Sequence, residues 1–172
     1  MGLSNALSGG IVMVALISVL LTVPGIVGTT SIVQDASTEI ADVELKIANT
    51  QISLSALSAT NGDDLITFTL SNVGTEKLWN YDKFNIFVTY DEDSTRYTES
   101  LTYAGDCSGE PSAGNWCVSS ISNDNLDPGI LNQNEDMSIQ LKVNQNTQNG
   151  IVIVVLSVDN GETTTISTTV GT

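Results

Sequence analysis

The chain has 172 residues, with 20 acidic and 5 basic side chains, no histidine and a net charge of −15. That surplus repels polyanions and excludes nucleic acid as a partner, while the missing histidine leaves any general-base role to carboxylates or lysine. Once one long apolar segment is set aside, the remainder is about one domain's worth of sequence, enough for a packed core.

From Met1 to Gln34 no side chain is charged. The apolar part, Ile11 to Val33, would span roughly 30 Å as a helix, enough to cross a bilayer. Pro24-Gly25 would kink such a span, with Ser18 and Thr22 able to take up freed carbonyls. The rival is a cleaved secretory signal, because Ile11 to Val23 has the length of an h-region and small residues follow Pro24-Gly25. No Lys or Arg precedes the run, however, so length and flanks together favour an uncleaved anchor over residues 1–34. The first basic residue is Lys46, which leaves the positive-inside rule nearly silent. A short tail left in the cytoplasm and a downstream cysteine pair instead predict a single-pass protein of the cell membrane, with its C-terminal domain outside.

Residues 35–49 read as a helical stalk. Ile32, Ala36, Ile40, Val43 and Ile47 recur at three- and four-residue spacing, with Asp35, Glu39, Asp42 and Glu44 mostly off the stripe. The stripe either continues the span as a stalk or packs on another copy, so a homo-oligomer stays open.

From about Thr50 the period becomes two. Ile52, Leu54 and Ala56 alternate with serines; Ile66, Phe68 and Leu70 share one face of a second strand; Met137, Ile139, Leu141 and Val143 share one face of another. Phe84, Ile86, Val88 and Tyr90 face one way with Phe87 opposite, and the apolar run "GIVIVVLSVD" predicts a central strand covered on both faces. A Thr-rich strand, "ETTTISTTV", closes the set. Asn61-Gly62-Asp63, Asn72-Val73-Gly74, Asp127-Pro128-Gly129, Asn149-Gly150 and Asn160-Gly161 mark turns, the last being the strongest hairpin signal. Seven or eight strands at such intervals predict a mainly β fold: residues 50–172 as an immunoglobulin-like antiparallel β-sandwich behind the membrane helix and stalk.

Cys107 and Cys117 bracket a Gly/Ser/Pro-rich loop. In an exported chain they predict a disulfide closing a hairpin or surface loop, worth about 2 to 3 kcal/mol on the loop-entropy account. Zinc would need two more soft ligands, and the spacing is too short for the inter-sheet bridge of antibody domains. Asp91, Glu92 and Asp93 lack the spaced oxygens, mid-loop glycine and distal glutamate of a calcium loop, so they read as a solvated hairpin tip. Asp124, Asp127, Glu135 and Asp136 surround the Pro128-Gly129 turn, and turn chemistry accounts for them. No nucleophile elbow, phosphate loop or paired-acid signature is present, so no catalytic residue, cofactor or metal is expected. Trp79 and Trp116 read as core or loop plugs ahead of anchors for a partner surface or glycan.

The opening "MGLS", the uncharged span, the short stalk, and the segments "LITFTLSNVGTEKLWNYDKFNIFVTYD" and "LDPGILNQNEDMSIQLKV" together resemble the archaellum stator protein F family. The resemblance covers the whole layout and is carried by Asn72 to Thr75, Lys83-Phe84 and Asp127 to Gly129, which are motifs of fold. It implies a membrane-anchored stator of the archaeal motility machine. Its outer domain, in the pseudoperiplasmic space, would contact the surface-layer protein and work with the companion archaellum stator protein G. The disulfide loop and the Pro24-Gly25 break are not features the family requires. The alternative is a filament subunit, an archaellin or archaeal type IV pilin, which also joins an N-terminal hydrophobic helix to a β-rich head. Its leader normally carries basic residues before the cleavage glycine, and none precedes Gly2, Gly9 or Gly10. A secreted adhesion module is the third reading.

Overall fold

The computed structural model describes residues 12–18, 37–124 and 126–171. They fall in two compact units, Met1–Glu44 and Leu45–Thr172. In the first, residues 12–18 are helical and exposed, and a second helix begins at residue 37; its residues 45–49 belong to the second unit. No helix among the described residues is long and apolar enough to cross a membrane; most of the predicted anchor lies outside the described residues.

The second unit holds eight strands: β1 (Ile52–Ala59), β2 (Leu65–Asn72), β3 (Asn85–Glu92), β4 (Thr95–Asp106), β5 (Asn115–Ser122), β6 (Asp136–Lys142), β7 (Gly150–Ser157) and β8 (Thr163–Val170). Hydrogen bonding runs β1-β2-β6-β5-β4-β3-β7-β8, and the sheet folds back so that β1 and β8 lie beside each other. The result is a mainly β fold, two four-stranded halves closed over one core.

Alternation of side chains across the pleat explains which residues fill that core. In the antiparallel β2–β6 ladder Phe68 stands opposite Ile139 and Leu70 opposite Met137, and all four are buried. From the other half come Ile86, Val88 and Tyr90 of β3 and Val152, Val154 and Leu156 of β7, again buried. Each aliphatic side chain taken out of water this way contributes about 1.5 to 3 kcal/mol. Phe87 points the other way and is exposed. The Asn160-Gly161 hairpin joins β7 to β8, with Gly161 at φ 92 and its N–H donating to the Val158 carbonyl at 3.0 Å. Residues Asp93 and Ser94, both at positive φ, make the β3–β4 turn that the acidic hairpin tip implied, the primed geometry that suits twisted strands.

Four expectations are corrected. The run in β7 is covered on one face only: the strand is central, between β3 and β8, but Ile151 is exposed and Ile153 and Val155 only half-buried. Ala56 does not join Ile52 and Leu54 inside. A β-bulge between Ser55 and Ser58, with Ala56 at φ 52, inserts an extra residue and turns Leu57 and Ala59 inward instead. The Asn149-Gly150 and Asn72-Val73-Gly74 glycines serve space, not positive φ: a Cβ on Gly150 would meet the Asp91 carboxylate at 2.3 Å. Finally, the sheet is not wholly antiparallel, because β4 and β5 pair in parallel. The chain turns this corner through residues 107–114, a connection far shorter than parallel neighbours usually need. The Cys107–Cys117 disulfide fastens it, beside a Cys107 N–H donated to the Val118 carbonyl at 2.8 Å. The bridge therefore closes a surface loop, not a hairpin.

Candidate functional site at the junction of helix and sandwich

The helix over residues 37–49 ends on a cap. Thr50 donates its N–H to the Lys46 and Ile47 carbonyls at 3.0 and 3.1 Å and its hydroxyl to Lys46 at 2.8 Å, which satisfies carbonyls that a helix end leaves open. The loop after β2 then grips the chain. The Asn49 carbonyl accepts the Thr75 and Glu76 N–H groups at 2.9 and 3.2 Å, and the Gln51 carbonyl accepts those of Val73 and Gly74, each at 2.9 Å. Gly74 is required by this approach, since a Cβ there would lie 2.3 Å from the Asn49 oxygen and 2.4 Å from the Gln51 nitrogen, both backbone atoms.

Behind the grip stands Asn72, fully buried. Its Nδ2 donates to the Glu76 carbonyl at 2.7 Å and to the Leu131 carbonyl at 3.0 Å, and its Oδ1 accepts the Gly74 N–H at 3.1 Å. Its own N–H goes to the Glu135 carbonyl at 3.1 Å, and its carbonyl accepts the Asn134 N–H at 2.7 Å. One side chain thus ties the gripping loop to the segment before β6. That segment carries its own buried pair: the Glu135 carboxylate accepts the Asn132 backbone N–H at 2.8 Å and Nδ2 at 3.2 Å. Leu78 and Leu131 exchange both backbone bonds, at 3.1 and 2.8 Å. From the β7–β8 turn, Asn160 donates to the Thr50 hydroxyl. Buried polar groups cost free energy unless paired, and these are paired with backbone in one arrangement. The junction therefore fixes how the last helical turn enters the sandwich.

The three motifs that carried the family resemblance meet at this end of the molecule. Asn72 to Thr75 is the grip itself. Asp127 pairs with Lys77, and the Tyr81 hydroxyl donates to the Gly129 carbonyl at 3.1 Å. Lys83 closes the 3-10 turn Tyr81–Lys83, donating its N–H to Asn80 at 2.9 Å, and Phe84 packs edge-on against Tyr81, their centroids 5.4 Å apart. Burial pushes the Tyr81 phenol up to about 12, with Tyr103, Asp124 and Glu135 adding to the rise. Trp116 is core, 4.6 Å from Tyr103; Trp79 is 60% exposed.

The other predicted positions are brought into local structure. Cys107 and Cys117 lie at the β4–β5 corner. Asp91 faces Arg96 at 3.9 Å, and the Asp93 N–H donates to Gln148 at 3.2 Å. Of the acids around Pro128, Asp124 accepts the Gly129 N–H at 2.9 Å and Asp136 accepts the Ser71 hydroxyl. Asn49, Thr50 and Asn132 were not singled out in the sequence, and Glu135 read there only as turn chemistry. Their types are those of ordinary turns, and only the three-residue spacing of Asn132 and Glu135 before a strand hinted at a mutual bond.

No protein-family model matches the sequence, and no curated protein matches it. Among solved structures, the archaeal flagellum of Methanospirillum hungatei strain JF1 is similar with a TM-score of 0.62 at 15% identity, over 96% of this chain and 93% of that one. The archaellum periplasmic stator protein complex of FlaF and FlaG from Sulfolobus acidocaldarius is similar with a TM-score of 0.51 at 15% identity, over 69% of this chain and 89% of that one. At these identities the likeness is one of fold: the chain has the fold of archaellum components.

Proposed function

We propose that the chain is an archaellum component with a structural role, and that it serves as a membrane-anchored stator. In this reading the uncharged N-terminal segment holds the membrane, the helix over residues 37–49 is the stalk, and the sandwich lies outside the cell, where it contacts the surface layer and a companion subunit like FlaG. The strand order within each half, 1-2-6-5 and 4-3-7-8, supports the immunoglobulin-like description of the head. The observation that carries the proposal is the junction. A stator resists torque only if force passes from anchor to head through a fixed connection, and the grip on Asn49 and Gln51 supplies one. The stator complex supports the pairing with a second subunit, as its name joins two such proteins.

A second reading, a filament subunit, is favoured by one observation: the similarity to the archaeal flagellum covers nearly the whole of both chains. Two measurements separate the readings. Cells should yield the chain in the membrane fraction, starting near Met1 by mass spectrometry, and membranes bearing it should co-sediment isolated surface layers. Recovery of the chain as a major component of purified filaments, with a shortened N-terminus, would overturn the stator and establish the subunit.

A further inference from the structure

Val73, Trp79 and Leu126 stand on connecting loops of the second unit and are 46%, 60% and 72% exposed. One loop follows β2 and the other precedes β6, and the two are laced together. Leu78 and Leu131 exchange backbone bonds at 3.1 and 2.8 Å, the Tyr81 hydroxyl donates to the Gly129 carbonyl at 3.1 Å, and Lys77 pairs with Asp127. Trp79 follows the buried Leu78 but is itself turned out into water, so core packing does not account for its size. An exposed apolar group rimmed by polar residues marks an interaction surface. Trp is enriched at binding hot spots, and a braced loop has little freedom left to lose when a partner settles on it.

Charge decides what such a surface holds. Asp159, from the β7–β8 turn, accepts the Asn80 side-chain amide at 3.1 Å, which sets a carboxylate beside the residue that follows Trp79. The two bases on these loops are already paired, Lys77 with Asp127 and Lys83 with Asp82. Glu76, Asp159 and Glu162 have no basic partner among the described residues. From this placement we infer that the loop surface around Trp79 is a docking site for a basic segment of another protein, one that presents Arg or Lys next to apolar side chains. The cation lies over the Trp79 indole, the aromatic ring that attracts positive charge best, with the Asp159 carboxylate at its side. Its apolar neighbours cover Val73 and Leu126, as the dry centre of an interface requires. A second copy of this chain, at −15, brings the same acids to the contact and is repelled, as is an anionic lipid surface. Opposite charge draws the partner in, so binding weakens as salt rises. The surface belongs to the head, and its partner chemistry does not depend on the stator assignment.

The test is isothermal titration calorimetry of the full chain in detergent with a synthetic peptide that alternates Leu and Arg. Binding should be at least tenfold weaker for Trp79→Ala and at least threefold weaker for Asp159→Asn, which keeps an acceptor for Asn80. Asp93→Asn, at the β3–β4 turn, should change it less than twofold. The same peptide with Glu in place of Arg, and maltoheptaose as a neutral glycan, should not bind. All three substituted side chains are exposed, and circular dichroism of each variant checks that the head is folded. Equal binding by the wild type and Trp79→Ala, binding of the Glu peptide or of maltoheptaose, or a wild-type dimer that Trp79→Ala abolishes would each overturn the inference. Quenching of Trp79 fluorescence by brominated phosphatidylcholine in the reconstituted chain would overturn it as well, by giving the surface to the bilayer.

Discussion

At the end of the sandwich that receives the helix, polar side chains are buried and directed at backbone; at the opposite end they stand mostly in water. Asn72, Asn132 and Glu135 are each under one tenth exposed and hold the chain around Asn49 to Gln51. The far end carries Asp63 and Asp93 on its turns, both exposed, and Asp91 and Glu92 at the end of β3, both half-buried. Its buried polar ties among the described residues include Thr147, whose N–H goes to the Asp63 carbonyl at 2.8 Å and whose hydroxyl goes to the Thr60 carbonyl at 2.8 Å, and the Tyr90 hydroxyl, which accepts the Gln145 N–H at 3.2 Å. Turn residues of similar type thus serve different ends. Where they are enclosed they fix one geometry, since every alternative leaves a buried group unpaired; where they are solvated they supply charge and solubility.

The contrast is broken most directly at Asn72. Asn72→Leu strands the Glu76 carbonyl and removes one of two partners from the Leu131 carbonyl, which keeps the Leu78 N–H, and from the Gly74 N–H, which keeps the Gln51 carbonyl; a stranded buried group costs about 1 to 3 kcal/mol. A loss of about 3 kcal/mol is expected in urea unfolding of the detergent-solubilised chain; less than about 1 kcal/mol would show that water replaces the amide and that the end is not dry. Gly74→Val comes next, at about 2 to 3 kcal/mol, because its Cβ must displace backbone. Its unfolding should be preceded by faster amide exchange at Thr75 and Glu76, and exchange unchanged at those two positions would contradict the grip.

Alkali sharpens the comparison with a smaller effect. The Tyr81 phenol is raised in the folded chain to about 12 from an ordinary value near 10, so in the unfolded chain it loses its proton first. Its contribution is fully present below pH 10 and falls as pH rises towards 12. Stability followed against pH, with tyrosinate absorbance, should decline in that window, and Tyr81→Phe should flatten the decline. Tyr90 is displaced in the same direction, by burial first and then by its bond to Glu99, so some slope remains in the variant. The smallest effect belongs to the far end: Asp93→Asn, at an exposed turn, should change stability by less than about 0.5 kcal/mol, and a larger loss would mean that the acidic tip is structural.

Legibility followed the pleat. Strands β2, β3 and β6 were readable because each places three or more apolar side chains at alternate positions over a core they fill. β4 was not, because its inward row reads Tyr97, Glu99, Leu101, Tyr103, and a carboxylate interrupts the apolar signal; the structure accommodates Glu99 through the Tyr90 hydroxyl and Asn144. β5 was hidden by the neighbouring polar loop, although Trp116 and Val118 enter the core. The β7 run overstated its burial, since an apolar face left half-exposed has the same composition as one covered by protein. The junction was half legible: Asn72 to Thr75 stood out as a motif, but a buried amide that bonds backbone across a loop has the same letters as a solvated turn.

The central claim is that force passes from a membrane anchor to an outer head through a rigid junction. Swimming of cells in which a flexible Gly-Ser linker is inserted between Glu44 and Leu45 tests it most directly, because the insertion leaves the junction from Leu45 onward intact and uncouples only the mechanical path. The account predicts that the protein stays in the membrane, binds isolated surface layers as before, and supports filament assembly, while motility is lost. Swimming at the normal speed with the linker in place would contradict it.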